Sequence, residues 1–289
     1  MARMFYALQG AKVGSTVLTG LQSLGTSSSS DLSPVFQLGQ LSTYGAYRST
    51  DNPVEVTISK IMDGRTSIWE ALGGGDLKDL YDNYITVELA FFTNIANVEA
   101  GTANITTLCG AKIGGASYSF DAEGVGTEEV TFVCDALADG GTSFNVPTVS
   151  SPSRLAVRSN IDEIDGGSPE GYTSVSCNFS LNREDKYGLG KFRAQERNVS
   201  FPIEVNWEYT SYSFGFGGDG ACGASPEGDC SGEGDSGGGS TKSILLCDGT
   251  LIKSSGAFST GSTTQGGGAD GSEMTTTNSY TAWSSFYLA

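Results

Sequence analysis

Residues 172–209 hold two alternating segments around a basic loop, and they constrain the fold more than any other stretch. Val175, Cys177, Phe179 and Leu181 alternate with Ser174, Ser176, Asn178 and Ser180. Phe201, Ile203, Val205, Trp207 and Tyr209 alternate in the same way with Glu204, Asn206 and Glu208. A period of two predicts strands with one buried face each. The intervening residues 182–197 are too many and too polar for a tight hairpin turn. They carry Arg183, Lys186, Lys191, Arg193 and Arg197, five of the 16 basic residues in the chain. With 33 acidic residues the net charge is −17, so this loop concentrates positive charge on an otherwise acidic chain. Two readings are open: a solvated loop that offsets nearby acids, or a loop reaching an acidic partner such as another copy of the chain.

Elsewhere the sequence reads as short strands separated by turns, with 41 glycines. Strands are expected at 4–8, 54–58, 84–92, 105–109, 112–120 and 129–134, and a strand or extended arm at 35–41. Ser27 to Ser30 reads as a polar break. Ser67 and Glu70 have the spacing of a capping box, predicting a short helix that ends near Gly73 and packs on a sheet as the main helix. Residues 146–171 contain three prolines and an acidic run, and read as an irregular crossing with a brief strand at 154–158. Asp248-Gly249 between apolar runs predicts a hairpin, and 280–288 a final aromatic strand. The expected fold is all-β, a β-sandwich or barrel with a flanking helix near 67–72. Three regions follow: a core over 1–212, a Gly/Ser/acidic surface loop over 213–241, and a C-terminal hairpin and strand over 242–289.

Together, 172–209 with its NREDKYGLG and FPIEVNWEY segments, FYALQGAKVGSTVLTGLQSLG, VFQLGQL and NPVEVTISKIMDG resemble tail tube proteins of tailed bacteriophages. The resemblance covers about two thirds of the chain in pieces and includes no catalytic signature. It implies rings, commonly of six copies, stacked into a tube whose long hairpins line a continuous inner barrel. In that setting Arg183, Glu184, Asp185, Lys186, Lys191, Arg193 and Arg197 would form inter-subunit contacts. Tail sheath, tail terminator and baseplate proteins would be further partners, and genomic DNA would pass through the lumen without specific binding. The location implied is the virion tail, assembled in the host cytoplasm. The net negative charge disfavours a protein that grips nucleic acid, and suits a conduit or simply a soluble surface. Another self-assembling β-protein (a DNA-free injection tube or a capsid decoration protein) or a carbohydrate-binding module remains the alternative.

An enzyme is not expected. The chain has no histidine, the commonest general base and metal ligand. Residues 215–220 match GxGxxG, but in a Gly-rich run without the strand and helix that the dinucleotide site needs. Around Gly188-Leu189-Gly190-Lys191 the first glycine and the final Ser or Thr of a phosphate loop are missing. The acids at 219–235 lack EF-hand spacing, so no metal or cofactor is expected. The start reads as no secretory signal, and no apolar run is long enough to span a membrane. Cys109, Cys134, Cys177 and Cys247 read as small core residues, and Cys222 and Cys230 as either free thiols or a pair. The glycosylation-shaped triplets at Asn104, Asn178 and Asn198 are read as chance. Trp69, Trp207 and Trp283 are expected in the core.

Overall fold

A computed structural model describes residues 9–28, 32–39, 42–48, 53–146, 155–189, 194–212, 239–265, 274–283 and 285–288. The chain enters through β1 (Gln9–Val13), turns at Gly14 (φ 59°) into β2 (Thr16–Val17), and continues as β3 (Leu21–Ser28). β4 (Leu32–Phe36) and β5 (Thr43–Arg48) pair with each other as a separate two-stranded ribbon. After β6 (Val54–Ile61) come α1 (Ile68–Ala71), β7 (Gly75–Asp76), α2 (Leu77–Leu80) and β8 (Ile85–Phe91). Next are α3 (Ile95–Ala100), β9 (Asn104–Asp121), β10 (Thr127–Cys134) and β11 (Ala136–Asp139). A 3-10 turn at Arg158–Asn160 leads to β12 (Ile161–Ile164) and β13 (Tyr172–Ser180). β14 (Arg183–Lys186), β15 (Glu196–Val199) and β16 (Glu204–Tyr212) follow. The chain closes with β17 (Ser240–Leu246), β18 (Leu251–Gln265), β19 (Thr275–Trp283) and β20 (Tyr287–Leu288).

The protein is all-β, with three short helices among the described residues. Its main sheet runs β3-β6-β10-β9-β13-β16-β19-β18, antiparallel at every step. A second sheet is β2-β1-β8-β9-β11, and a third is β12-β17-β18-β20-β7. Two strands therefore serve two sheets each. The first part of β9 pairs with β8 and β11, and the rest pairs with β10 and β13. Likewise β18 pairs with β17 and β20 before Phe258, and with β19 after it. The switch falls beside a positive-φ glycine in both strands, Gly110 (φ 63°) and Gly256 (φ 72°), a backbone region that favours residues without Cβ. This is why one 18-residue strand occupies 104–121 where two were expected: Gly110 bends the strand without ending it.

One core joins the three sheets. It takes Val56, Phe132 and Trp207 from the main sheet, Val13 and Leu89 from the second, Ile244 and Leu288 from the third, and Ile68 and Trp69 from α1. Trp69 meets Phe179 and Phe286 edge-on at 5.7 and 5.0 Å. Burying such side chains stabilises the fold by about 1.5–3 kcal/mol each.

The capping box is present, with Ser67 Oγ accepting from the Glu70 amide and Glu70 returning the bond to the Ser67 amide. α1 packs on the sheet as expected, although the six-residue α3 is longer. The strand expected at 154–158 lies instead at Ile161–Ile164, where Ile161 and Ile164 align with Leu246 and Ile244. Ser27 and Ser28 belong to β3, paired with Glu55 and Val54, and do not form a break. Val35 and Phe36 form part of the ribbon strand β4. Cys247 is exposed in the turn after β17, and Trp283 is 46% exposed, so neither is a core residue. The strand expected at 4–8 and most of 213–241, including Cys222 and Cys230, lie outside the described residues.

Candidate functional site: a carboxylate-lined sheet face

Because side chains alternate along each strand, the main sheet has two chemically distinct faces. The inward row through Leu24, Ile58, Val130, Ala116, Phe179, Val205 and Ala282 is apolar. One residue along, the outward row runs Ser23, Ser59, Glu129, Ser117, Asn178, Asn206 and Thr281. Hydroxyl and amide pairs knit this outer face across strands. Thr57 and Thr131 approach to 3.3 Å, Thr210 and Thr277 to 3.0 Å, and Thr281 donates to Asn206 Oδ1 at 2.9 Å.

Among the described residues, the exposed charges on this face have one sign. Glu55, Asp121, Glu129, Glu204 and Glu208 are all exposed there. The cation of matching parity, Lys112, sits at the end of the face opposite Val133 and is paired with Asp82. A shallow concavity is lined by Glu55, Glu129, Ser117, Asn178, Glu204 and Asn206. The result is a concave trough of carboxylates and small hydroxyls.

The opposite face explains how this trough is held. Glu128, next to Glu129, points inward and is completely buried. Its carboxylate accepts from the amides of Ile68 (2.7 Å) and Trp69 (3.1 Å) and from the Tyr118 hydroxyl (3.0 Å). Ser67 and Glu128 together satisfy the free first-turn amides of α1. Burial raises the Glu128 carboxyl above its ordinary range, opposed by the Ile68 amide, the Lys60 charge, the Trp69 amide and Tyr118. Burial, with the Glu128 charge second, also pushes the Tyr118 phenol well up. Lys60, equally buried, donates to the Thr66 carbonyl at 2.9 Å and pairs with Asp63 at 3.4 Å.

The basic loop is a second hairpin, β14 with β15, carried on the ends of β13 and β16. Two of its arginines, Arg183 and Arg197, turn back onto their own chain. The Arg183 guanidinium donates to the carbonyls of Ile113 and Tyr81, and burial lowers its pKa. Arg197 bridges Asp185 at 2.7 Å and Asp135 at 3.1 Å. Burial opposes its charge, but the Asp185 hydrogen bond and both carboxylates outweigh that and hold its pKa above the usual value. Lys186 and Glu196 form an exposed pair, and Glu184 is exposed. Lys191 and Arg193 lie outside the described residues. Within the chain, Arg183, Asp185 and Arg197 thus anchor the hairpin, whereas the sequence had them expected in contacts with another copy. Arg197→Ala, which strands Asp185 and Asp135, is expected to cost the monomer about 3 kcal/mol in urea unfolding. Lys186→Ala is expected to cost under about 0.5 kcal/mol.

The carboxylate face was not singled out from sequence. Glu55, Glu204 and Glu208 are readable as the polar side of alternating strands, but their convergence with Glu129 and Asp121 depends on strand order. No group of three or more metal-binding side chains occurs among the described residues, and no helix among them is long and apolar enough to cross a membrane. The fold and the face define an all-β protein with an anionic sheet surface. No family model matches the chain, and no curated protein is detectably similar to it.

Proposed function

We propose that this chain is a tail tube protein of a tailed bacteriophage, assembling into stacked rings that conduct DNA. The observation that carries this reading is the concave sheet face whose exposed charges, among the described residues, are all carboxylates. A conduit for a polyanion must attract it nowhere along the bore, since even a few phosphate contacts produce tight, salt-dependent binding. Glu55, Asp121, Glu129, Glu204 and Glu208 provide uniform repulsion, and the Ser, Thr and Asn around them keep the wall wetted.

Self-assembly is supported by apolar surface that a monomer leaves in water. The β4–β5 ribbon exposes Val35, Phe36, Leu38 and Tyr44, and the tip of the β14–β15 hairpin exposes Tyr187 and Leu189. A two-stranded ribbon is marginal alone and needs something to pack against. The direct test is negative-stain electron microscopy of the concentrated, purified protein. Hollow tubes with a regular axial repeat are expected. A protein that stays monomeric at every concentration and retains a glycan on an array would overturn the proposal.

A further inference from the structure

Asp165 takes a positive φ (53°) although it carries a Cβ, in the tight turn Ile164–Gly167 that follows β12. Such strain persists only where the surroundings enforce it, and it clusters at functional positions. Here β17 enforces it. The Asp165 amide donates to the Ser243 carbonyl at 2.9 Å, and the Ser243 amide donates back to Asp165 Oδ1 at 2.8 Å. The Tyr209 hydroxyl donates to the same Oδ1 at 3.0 Å. The other oxygen, Oδ2, lies 2.9 Å from Lys242 Nζ.

Lys242 reaches this carboxylate from inside the fold. Its side chain is 11% exposed, with Nζ 3.7 Å from the centre of the Tyr280 ring and 5.3 Å from that of Tyr209. The Asp165 side chain, 24% exposed, keeps an opening to water. Lys186 and Glu196, in contrast, pair with both side chains in water. Burial, and then the Asp165 charge, push the Tyr209 phenol up, so it stays a donor.

We propose that Lys242 and Asp165 condense into an intramolecular amide that cross-links the turn after β12 to β17. The step needs no further reactant. Nζ passes one proton to Oδ2, and its freed electron pair attacks Cγ. Negative charge gathers on Oδ1, where the Tyr209 hydroxyl and the Ser243 amide are already aimed. Donors fixed in this way on a developing oxyanion lower the barrier to acyl transfer. A second Nζ proton then goes to Oδ2, the Cγ–Oδ2 bond breaks with its electron pair, and Oδ2 leaves as water through the open side of Asp165. One ammonium and one carboxylate become one amide and one water, with no change in net charge. Bulk water opposes such a condensation between free molecules. A pair held in contact reacts at an effective concentration of about 10⁵–10⁸ M, which favours closure. The amide encloses residues 166–241, β13 to β16 among them, in a covalent loop. It joins two segments of one chain and does not rest on the tube reading.

Intact-mass spectrometry of the purified protein, followed by tryptic mapping, is the test. The wild type is expected one water lighter than its sequence, and Lys242→Arg, which keeps the positive charge, at full mass. Trypsin does not cut after an acylated lysine, so residues 159–183 are expected joined to 198–253. Tyr209→Phe, which keeps the ring, should slow closure about 10²–10³-fold and leave unlinked chain in freshly synthesised protein. A wild type at full mass would overturn the inference. So would a lost water confined to 159–183 with Lys242 still cleaved, because Asp165 would then have closed on the Gly166 nitrogen as a succinimide.

Discussion

Tubes assembled from the quadruple variant Glu55→Lys, Glu129→Lys, Glu204→Lys, Glu208→Lys are expected to capture duplex DNA that wild-type tubes release. Each substitution exchanges a carboxylate for an ammonium on the exposed side of the main sheet, well away from the core. Every lysine that meets a phosphate adds about −0.9 to the slope of log affinity against log salt. With six to ten such contacts engaged at once, affinity should fall by about 10³–10⁵ between roughly 50 and 200 mM salt. Co-sedimentation of labelled duplex with tubes across that range measures both slope and affinity. Wild-type tubes should carry no DNA at either end of it. Equal DNA retention by the two tubes would remove the electrostatic account of the trough, whatever the particle looks like.

The second large effect concerns the neighbouring glutamate on the other face. Glu128→Ala deprives the Ile68 and Trp69 amides and the Tyr118 hydroxyl of their acceptor and leaves buried Lys60 with less compensation. Removing one partner from such a buried network costs about 3–5 kcal/mol. In a chain of this size that lowers Tm by on the order of 10 °C. Glu129→Ala, one residue on and exposed, should change stability by no more than about 0.5 kcal/mol. Scanning calorimetry of the two variants side by side tests the assignment of faces directly.

Glu128 also gives a signed pH dependence. Its folded-state pKa is raised, so the native state takes up a proton before the unfolded chain does. Its contribution to stability is complete below the ordinary carboxyl value of 4.5 and is lost as pH rises through the raised one. The Tm of the wild type relative to Glu128→Gln, which cannot ionise, should therefore increase as pH is lowered from above neutrality toward 4.5. A difference that shrinks over that interval would show that the bound amides, and not burial, dominate the carboxyl.

The fold was largely legible because its determinants are local. Alternation at 54–58, 172–181 and 201–209, the Ser67–Glu70 capping box and the Asp248-Gly249 turn each act over a few residues, and the corresponding elements are present. The acidic trough was not legible. Glu129 reaches Asn206 only across β9 and β13, and sequence spacing carries no information about that order. The partners that Arg183 and Arg197 find within the chain were not legible for a related reason. Arg183 and Arg197 stand in a polar stretch that reads as solvated, yet their partners, Ile113, Tyr81 and Asp135, lie on distant segments. Arg183→Glu would put a carboxylate against two carbonyls, so loss of assembly in that variant would report misfolding and not a lost interface.

β9 and β18, each shared between two sheets, have a mechanical consequence. In a sandwich whose layers touch only through side chains, a shearing load slides one layer over the other by breaking contacts one at a time. Here two continuous backbones cross from layer to layer at Gly110 and Gly256. Load entering the second or third sheet passes into the main sheet along covalent bonds, and the layers cannot part until whole ladders of hydrogen bonds rupture together. A subunit built this way suits a long, thin particle that must bend without coming apart.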